Sequence, residues 1–262
     1  MVVLGTLILW FGWYGFNCGS TLAFSGDAVA SAGVVAVNTS IAAGVGGFTV
    51  LVLRAMIEKC GNHQTTYYDL SATANGVLAG LVSITAGCAD VTDYGAFVIG
   101  FLGGGVYVVA SYAVRKSGVD DPLDAFAIHG ACGAWGVFAL GLFHTTDGAF
   151  YGGDGTLLGW QVAGILAITV WSIGFAVLIF GILKAAKRLR VSAEEEKAGL
   201  DKKHHGGNAY AIARKKTGLE MAARGNSKNG VEADLEKGET NNDDHEPTDK
   251  SDVETEKPAA EE

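Results

Sequence analysis

Hydrophobic and polar positions divide the chain near residue 184. Before that point, long apolar runs rich in Gly, Ala, Val and Leu contain Lys or Arg at only five positions: Arg54, Lys59, Arg115, Lys116 and Lys184. After it, the chain carries the remaining fourteen of the 19 basic residues and eighteen of the 28 acidic ones, with few bulky apolar clusters. The first part has the pattern of a membrane region, whereas the second part cannot build a hydrophobic core.

The apolar part contains six stretches long enough to cross a bilayer. A hydrocarbon core of about 30 Å needs about 20 apolar residues in a helix. We predict an all-α polytopic membrane bundle, with a six-span region at 1–184, a cytoplasmic segment at 185–212 and a disordered charged tail at 213–262. The six predicted spans are 2–24, 28–56, 70–89, 94–114, 122–144 and 157–184.

Charged residues in the connecting loops predict the orientation of the chain. The loops at 25–27, 90–93 and 145–156 contain aspartate and no Lys or Arg, whereas the alternate loops and the tail start contain all the basic residues. Cytoplasmic loops carry the excess of Lys and Arg. Both ends of the chain are therefore expected in the cytoplasm, with the aspartate loops outside.

Small residues recur in the spans at three- and four-residue spacing. Such stripes allow helix backbones to approach closely, which predicts a packed bundle. The stripes are Gly12, Gly15 and Gly19; Ala43, Gly46 and Gly47; Gly100, Gly103 and Gly104; and Gly130, Gly133 and Gly136. The four cysteines have no CxxC pairing, which favours small apolar residues packed among helices.

His129 lies about seven residues into the fifth predicted span, which places it roughly 11 Å deep. A polar ring at that depth indicates a functional residue that faces a partner or a water-accessible path. Three other interpretations remain: a structural histidine bonded between helices, a metal ligand with Cys132, and a base in an intramembrane enzyme.

The first span places a hydroxyl and an aromatic stripe nearer the outer mouth than His129. Phe16 and Ser20 are separated by one helical turn, and Trp13 lies one turn deeper. A small cation arriving from outside would meet a hydroxyl, then an aromatic face, then the imidazole of His129. Taken singly, each aromatic ring is also explained by packing.

Other polar residues have structural explanations. Asp124, at the cytoplasmic start of the fifth span, is expected to cap that helix and to suit its dipole. Asn38, Thr39 and Asn75 are expected to form hydrogen bonds across helices, because an amide in lipid needs a partner.

Five segments together resemble the Amt/Mep ammonium transporters. The run from Leu4 to Ser20 (LGTLILWFGWYGFNCGS) is similar to the sixth span of that family, and four further segments agree in family order. They are AVNT at 36–39, NGVLAGLVSITAGC at 75–88, DDPLDAFAIHG at 120–130 and GLDKKHHGGNAY at 199–210. The family has eleven spans, as two inverted five-helix repeats and a final long helix, and assembles as a trimer with one pore per subunit. This chain resembles spans six to eleven, that is, the second repeat, the final helix and the tail.

The resemblance assigns roles to single residues. Ser20 would contribute to an outer ammonium-recruitment site, Phe16 would be one of two gating rings, and His129 one of a pair of pore histidines. Trp13 would line the pore, and Asp124 would be the aspartate at the helix start. In the tail, the resemblance implies a regulatory segment that docks under a neighbouring subunit, with the matching positions Gly199, Asp201, His205, Gly206 and Tyr210.

The resemblance also implies that a partner histidine, the second gating ring and part of the recruitment site lie in a first repeat that this chain lacks. The expected function is transport of ammonium or ammonia by a homotrimer in a lipid bilayer. The expected location is the plasma membrane, with the tail in the cytoplasm. An ammonium sensor and a truncated, non-conducting fragment are the alternatives. No enzyme activity, cofactor, metal or nucleic-acid partner is expected, since no motif or basic patch indicates one.

Overall fold

The computed structural model describes residues 1–60, 68–200 and 204. The chain forms two compact units, Met1–Leu189 and Arg190–Glu262. Within the described ranges all regular structure is helical. The first unit contains α1 (Val2–Gly19), α2 (Asp27–Cys60), α3 (Leu70–Thr85), α4 (Asp93–Ser117), a π-helical turn (Phe126–Ala131) that continues into α5 (Cys132–Phe143), a 3-10 turn (Ala149–Tyr151) and α6 (Thr156–Ala185). The second unit contains α7 (Ala193–Ala198).

Five of these helices are long and apolar enough to cross a membrane: α1, α2, α4, α6 and the π turn joined to α5. This agrees with five of the six predicted spans. The first span ends earlier than predicted, at Gly19 instead of residue 24, and Leu22 beyond it has a left-handed backbone with φ of 60°.

The third predicted span, 70–89, is too long. α3 has 16 residues and is about 24 Å long, shorter than a bilayer core. It ends at Thr85, and residues 86–90 form turns. The buried Asn38 amide of α2 donates hydrogen bonds to the Cys88 and Val91 carbonyls, both at 2.9 Å. A side chain thus satisfies backbone groups that the helix would otherwise satisfy, which permits the helix to stop.

Helices α2, α3 and α4 pack with their backbones in direct contact. We call the small residues at this contact, Ala42, Gly46, Gly76, Gly80 and Gly100, the seam. A Cβ atom added to Gly46 would lie 2.6 Å from the Gly76 carbonyl oxygen, and one added to Gly100 would lie 2.7 Å from the Ala42 Cα. A Cβ on Gly80 would overlap the Ala42 carbonyl. No side chain fits there, so glycine is required for this packing.

The glycine stripe of α1 does not form such a contact. A Cβ atom on Gly12, Gly15 or Gly19 would meet nothing within 4 Å among the described residues. The expectation of close packing is therefore wrong for this stripe within the chain. α6 is also little packed: none of its residues is buried. Its close contact is at its start, where a Cβ on Gly141 would lie 2.8 Å from the Leu158 Cα.

The four cysteines are all unpaired, and they differ in burial. Cys88 and Cys132 are buried, Cys18 is partly buried and Cys60 is exposed at the end of α2. Packing among helices therefore describes the first three, and Cys60 departs from that expectation.

Candidate functional site

A cavity of about 760 Å³ lies between α1, α3 and α5. It brings together Trp13 and Phe16 of α1 with His129 of the π turn, three residues that the sequence selects from two distant segments. The remaining lining is apolar apart from the Thr85 hydroxyl: Ile8, Leu9, Gly12, Val82, Ala86, Gly133 and Val137 complete it. We call this space the cavity.

Trp13 is held against α3 by a specific hydrogen bond. Its indole Nε1–H donates to the Thr85 Oγ1 at 2.9 Å, and the Thr85 hydroxyl in turn donates to the Leu81 carbonyl at 2.7 Å. The Trp13 and Phe16 rings meet edge to face, with centroids 6.2 Å apart and an interplanar angle of 65°. An indole with a bonded N–H is fixed in orientation, so it provides a defined wall for the neighbouring ring.

Phe16 itself is open to the cavity, with 63% of its surface exposed. Its ring lies on the exposed side of α1, whereas Asn17, the next residue, is buried and donates to Thr39 Oγ1 of α2 at 3.0 Å. This bond fixes the rotation of α1 against α2. The rotation in turn directs Phe16 away from the packed interior.

His129 lies in the π turn, a type of turn in which backbone N–H groups bond to the carbonyl five residues earlier. The last of these bonds joins the Cys132 N–H to the Ala127 carbonyl. Ala127 and Ile128 are buried, whereas His129 is exposed to the cavity. Gly133 and Val137 come next at four-residue intervals and line the same cavity. Wide turns of this kind occur frequently at functional sites.

Ser20 is the capping residue at the C-terminal end of α1. Its hydroxyl donates to the Phe16 carbonyl at 2.7 Å, and its side chain is exposed. Among the described residues, the cavity lining does not extend to Ser20. The lone pairs of the Ser20 oxygen remain available to accept a hydrogen bond, because its hydrogen is already committed.

Asp124 does not cap the fifth helix, contrary to the expectation from sequence. The Asp121 carboxylate accepts hydrogen bonds from the backbone N–H groups of Ala125 at 2.8 Å and Phe126 at 2.9 Å. The Asp124 carboxylate turns inward, where it accepts from the Ser111 hydroxyl at 2.7 Å and the Tyr107 hydroxyl at 2.8 Å. The capping role belongs to Asp121 because Asp121 lies one turn before the first free N–H groups.

Asn75 joins the same polar group from α3. Its amide Nδ2 lies 3.2 Å from the Tyr107 hydroxyl and 3.5 Å from the Asp124 Oδ2. At this end of the bundle, Arg54 pairs with Asp69 at 3.6 Å and Arg115 approaches Asp124 at 3.9 Å. The basic residues of two separate predicted cytoplasmic loops thus line one polar cavity of about 210 Å³.

The predicted tail residues are only partly described. Gly199 ends α7 with φ of 88°, a conformation that favours glycine. Asp201, His205, Gly206 and Tyr210 lie outside the described residues.

Sequence reasoning missed several residues of the site. The Tyr107 and Ser111 pair carries a detectable signal, since two hydroxyls one turn apart in an apolar span predict a shared polar partner. Asp121 also has a signal, because it precedes Pro122 and lies four residues before the helical N–H groups. Thr85 and the π turn have none, because a hydroxyl can bond within its own helix and no composition marks a π turn.

Comparisons with known proteins agree with this geometry. Residues 1–210 match the Ammonium Transporter Family. "Ammonium transporter 1 member 2" of Oryza sativa subsp. japonica is 36% identical, over 80% of this chain and 46% of its own length. "Ammonium transporter 1 member 1" of Arabidopsis thaliana is also 36% identical, over 80% of this chain and 45% of its own.

Solved structures give the same result. A structure described as "Sensor Amt Protein" superposes with a TM-score of 0.66 at 36% identity, over 77% of this chain and 48% of that one. Candida albicans Mep2 superposes with a TM-score of 0.65 at 28% identity, over 82% of this chain and 50% of that one. This chain spans about half the length of the relatives that it matches. From its sequence match and its helical architecture, the chain belongs to the ammonium transporter family.

Proposed function

We propose that this chain supplies one half of a transmembrane pathway for ammonium or ammonia, and that His129 is the residue at which the permeating species is handled. The observation that carries the proposal is the cavity, where His129 lies opposite Trp13 and Phe16 in otherwise apolar surroundings. A titratable ring that faces a cavity inside an apolar bundle is a functional group by default. We infer the substrate from the relatives, which are named ammonium transporters.

The chemistry rests on the difference between ammonium and potassium. The two ions are similar in size, so discrimination by pore width alone would fail. Moving a bare cation through an apolar cavity requires a large desolvation free energy, which is avoided if the ion gives up a proton. Potassium has no proton to give. A pore with an imidazole in an apolar wall therefore admits ammonia and excludes potassium.

Three residues take successive roles in this proposal. Ser20 accepts a hydrogen bond from ammonium at the outer mouth, using the lone pairs that its own donor bond leaves free. Phe16 delays passage, with Trp13 behind it as a fixed wall. His129 then accepts a hydrogen bond from ammonia or relays the released proton. The complete site requires a second half opposite the open side of the cavity.

Transport by paired halves provides the test. The 262-residue chain would be produced in yeast cells that lack their own ammonium transporters, alone and together with the first-repeat half of the Arabidopsis relative. We expect methylammonium uptake only from the pair. His129→Ala should abolish that uptake or allow potassium to pass, whereas Val137→Ala, two turns along the same cavity stripe, should have little effect. Unchanged uptake with unchanged potassium rejection in His129→Ala would contradict the proposed role of this residue.

We further propose that the complete protein assembles as a homotrimer in the plasma membrane, with the tail in the cytoplasm. The tail segment at 199–210 would couple neighbouring subunits, with Gly199, Asp201, His205, Gly206 and Tyr210 as the positions to test. Removal of residues 199–262 should leave the trimer intact in size-exclusion chromatography and change the uptake rate. An unchanged rate would contradict a regulatory tail.

Sensing of ammonium is a second candidate function. The similarity to the structure described as "Sensor Amt Protein" favours it. The same cavity would bind ligand in either case, but a sensor need not conduct. Flux measured in vesicles that contain the reconstituted complete protein separates the two functions, since binding without flux supports a sensor.

A further inference from the structure

The carboxylate of Asp124 is surrounded by donors from two other helices. Ser111 and Tyr107 of α4 donate through their hydroxyls, and Asn75 of α3 lies within reach with its amide. The Arg115 guanidinium is more distant, 3.9 Å away, and half exposed. Neutral hydrogen bonds therefore fix this carboxylate more directly than an ion pair does. We call Asp124, Tyr107, Ser111 and Asn75 the clamp.

The backbone of Asp124 has an uncommon conformation. Its φ is 56°, in the left-handed region that residues other than glycine seldom adopt. Such a conformation persists only where surrounding contacts hold it. Here the clamp holds the side chain from inside the bundle, while the two bonds to the Asp121 carboxylate fix the next two backbone N–H groups.

The left-handed residue stands immediately before the helix that carries His129. The Asp124 carbonyl accepts the Ile128 N–H at 2.9 Å, an α-helical bond that overlaps the first residues of the π turn, which begins at Phe126. A π turn contains one residue more than an α turn needs, so it changes the rotation of the residues before it relative to the helix after it. Because α5 is fixed by Gly136 against Ser83 and by the bond from Trp135 Nε1 to the Ile99 carbonyl, the rotation falls on residues 125–131.

That rotation decides which side chain faces the cavity. Ile128 is 3% exposed and packs in the interior, whereas its neighbour His129 is exposed to the cavity. A shift of one residue turns a helix by about 100° and would exchange these environments.

We propose that the clamp is a positioning device, in which Asp124, held by Tyr107, Ser111 and Asn75, maintains the π turn and thereby directs His129 into the cavity. Asp124 is a positioning residue in this arrangement, because it acts on the permeating species only through His129. The geometric part of the proposal stands on the contacts above, and its consequence for transport rests on the proposed function.

Thiol accessibility tests the geometry without any transport measurement. The complete protein would carry alanine in place of Cys18, Cys60, Cys88 and Cys132, and a single cysteine introduced by Ile128→Cys or His129→Cys. With the clamp intact, a small water-soluble thiol reagent should label position 129 at least about tenfold faster than position 128. With Asp124→Gly, which keeps the left-handed backbone accessible and removes the carboxylate, the two rates should become similar.

Two further variants keep the test decisive. Asp124→Asn preserves the shape of the side chain, and the pair Tyr107→Phe with Ser111→Ala removes the donors and leaves Asp124 in place. If Asp124→Gly does not fold, the Tyr107→Phe and Ser111→Ala double variant provides the test. Similar labelling rates at positions 128 and 129 in this variant would support the clamp. A ratio that stays at about tenfold in a folded variant without the donors would overturn the proposal.

Transport kinetics then test the consequence. In the paired-halves uptake measurement, Asp124→Asn should lower kcat roughly tenfold or more and leave KM nearly unchanged, because Ser20 and Phe16 at the mouth are untouched. A purely structural defect would instead reduce the amount of folded protein and leave the kcat of the remaining folded protein unchanged. If the clamp variants label positions 128 and 129 at similar rates but His129→Ala transports normally, the positioning role of the clamp is supported. The proposed pore role of His129 is then contradicted.

Discussion

The seam and the cavity both contain glycines, yet they differ in what these glycines touch. In the seam, a Cβ on Gly46, Gly80 or Gly100 would strike the backbone of a neighbouring helix. In the cavity, a Cβ on Gly12 meets nothing within 4 Å, and one on Gly133 would meet only the Val82 Cγ1 at 3.7 Å, among the residues that the structure describes. Small residues thus serve two purposes: they close one face of the bundle and leave the other open.

The two regions also differ in how polar groups are used. Beside the seam, the Asn38 side chain bonds across helices to the turn after α3. In the cavity, His129 and Phe16 are exposed, and the Trp13 indole is tied to a wall residue, Thr85. A closed region of backbone contact and an open region that presents an imidazole fit the proposed role of the chain as a scaffold for half of a site.

The largest effect is expected from a methyl group in the seam. Gly80→Ala places a Cβ onto the Ala42 carbonyl. Because the atoms that this Cβ would strike belong to the backbone of α2, they can move away only if α2 separates from α3. Overpacking of this kind costs about 1–3 kcal/mol and occasionally more. Gly12→Ala is the matched control, because its Cβ enters open space. Thermal unfolding in detergent, followed by size-exclusion chromatography, should show a large decrease in thermal stability for Gly80→Ala and almost none for Gly12→Ala. Equal losses would remove the distinction between seam and cavity.

The next effect is expected beside the seam, at the turn that follows α3. Asn38→Leu removes both donors to the Cys88 and Val91 carbonyls, which then have no bond from this side chain. Loss of a buried polar partner costs about 1–3 kcal/mol. We expect lower thermal stability and faster hydrogen exchange in residues 86–91. Asn17→Leu, which breaks the single bond to Thr39, provides the comparison and should affect α1 instead.

The residues of the seam illustrate how far the sequence could predict the fold. Stripes of small residues in α2 and α4 predicted close packing correctly, because spacing along a helix determines which residues share a face. The same pattern in α1 predicted a contact that is absent from this chain among its described residues. Spacing shows that a face is smooth, but it does not show whether a second helix lies on it.

The site shows a similar division. His129, Phe16 and Trp13 were selected from sequence because polar and aromatic residues at membrane depth are informative, and the structure places all three around one cavity. The inward position of the Asp124 carboxylate was not predicted, although Asp121 and the hydroxyl pair of α4 carry sequence signals. It depends on the left-handed backbone at Asp124, which no sequence pattern shows.

A smaller effect is expected where the cavity wall is joined to the bundle. Trp13→Phe removes the hydrogen bond to Thr85, whose hydroxyl keeps its bond to the Leu81 carbonyl. The net loss should be about 1 kcal/mol. Thr85→Val removes the same bond from the other side. The double variant should lose little more free energy of unfolding than either single variant. Thermal unfolding of the four proteins measures this coupling, and simple additivity would show that the bond does not hold α1 on α3.

The smallest effect is expected in the loop before α6, outside both the seam and the cavity. Hydrogen bonds from the backbone N–H of Thr156 and from its hydroxyl lower the pKa of the Asp154 carboxyl from its ordinary value of 3.8. Since the folded pKa lies below the unfolded one, the stabilisation is present at neutral pH and is lost as the pH falls through the folded pKa. The side chain is fully exposed, so solvent screens the interaction.

Hydrogen-exchange protection of the Thr156 amide, which donates to Asp154 at 2.8 Å, should decrease below about pH 4 in the natural chain and much less in Asp154→Asn. Protection in the seam should be independent of this titration, because the described partner of Asp154 is Thr156, two residues away at the start of α6. A common pH dependence in the two regions would mean that loop and bundle open together.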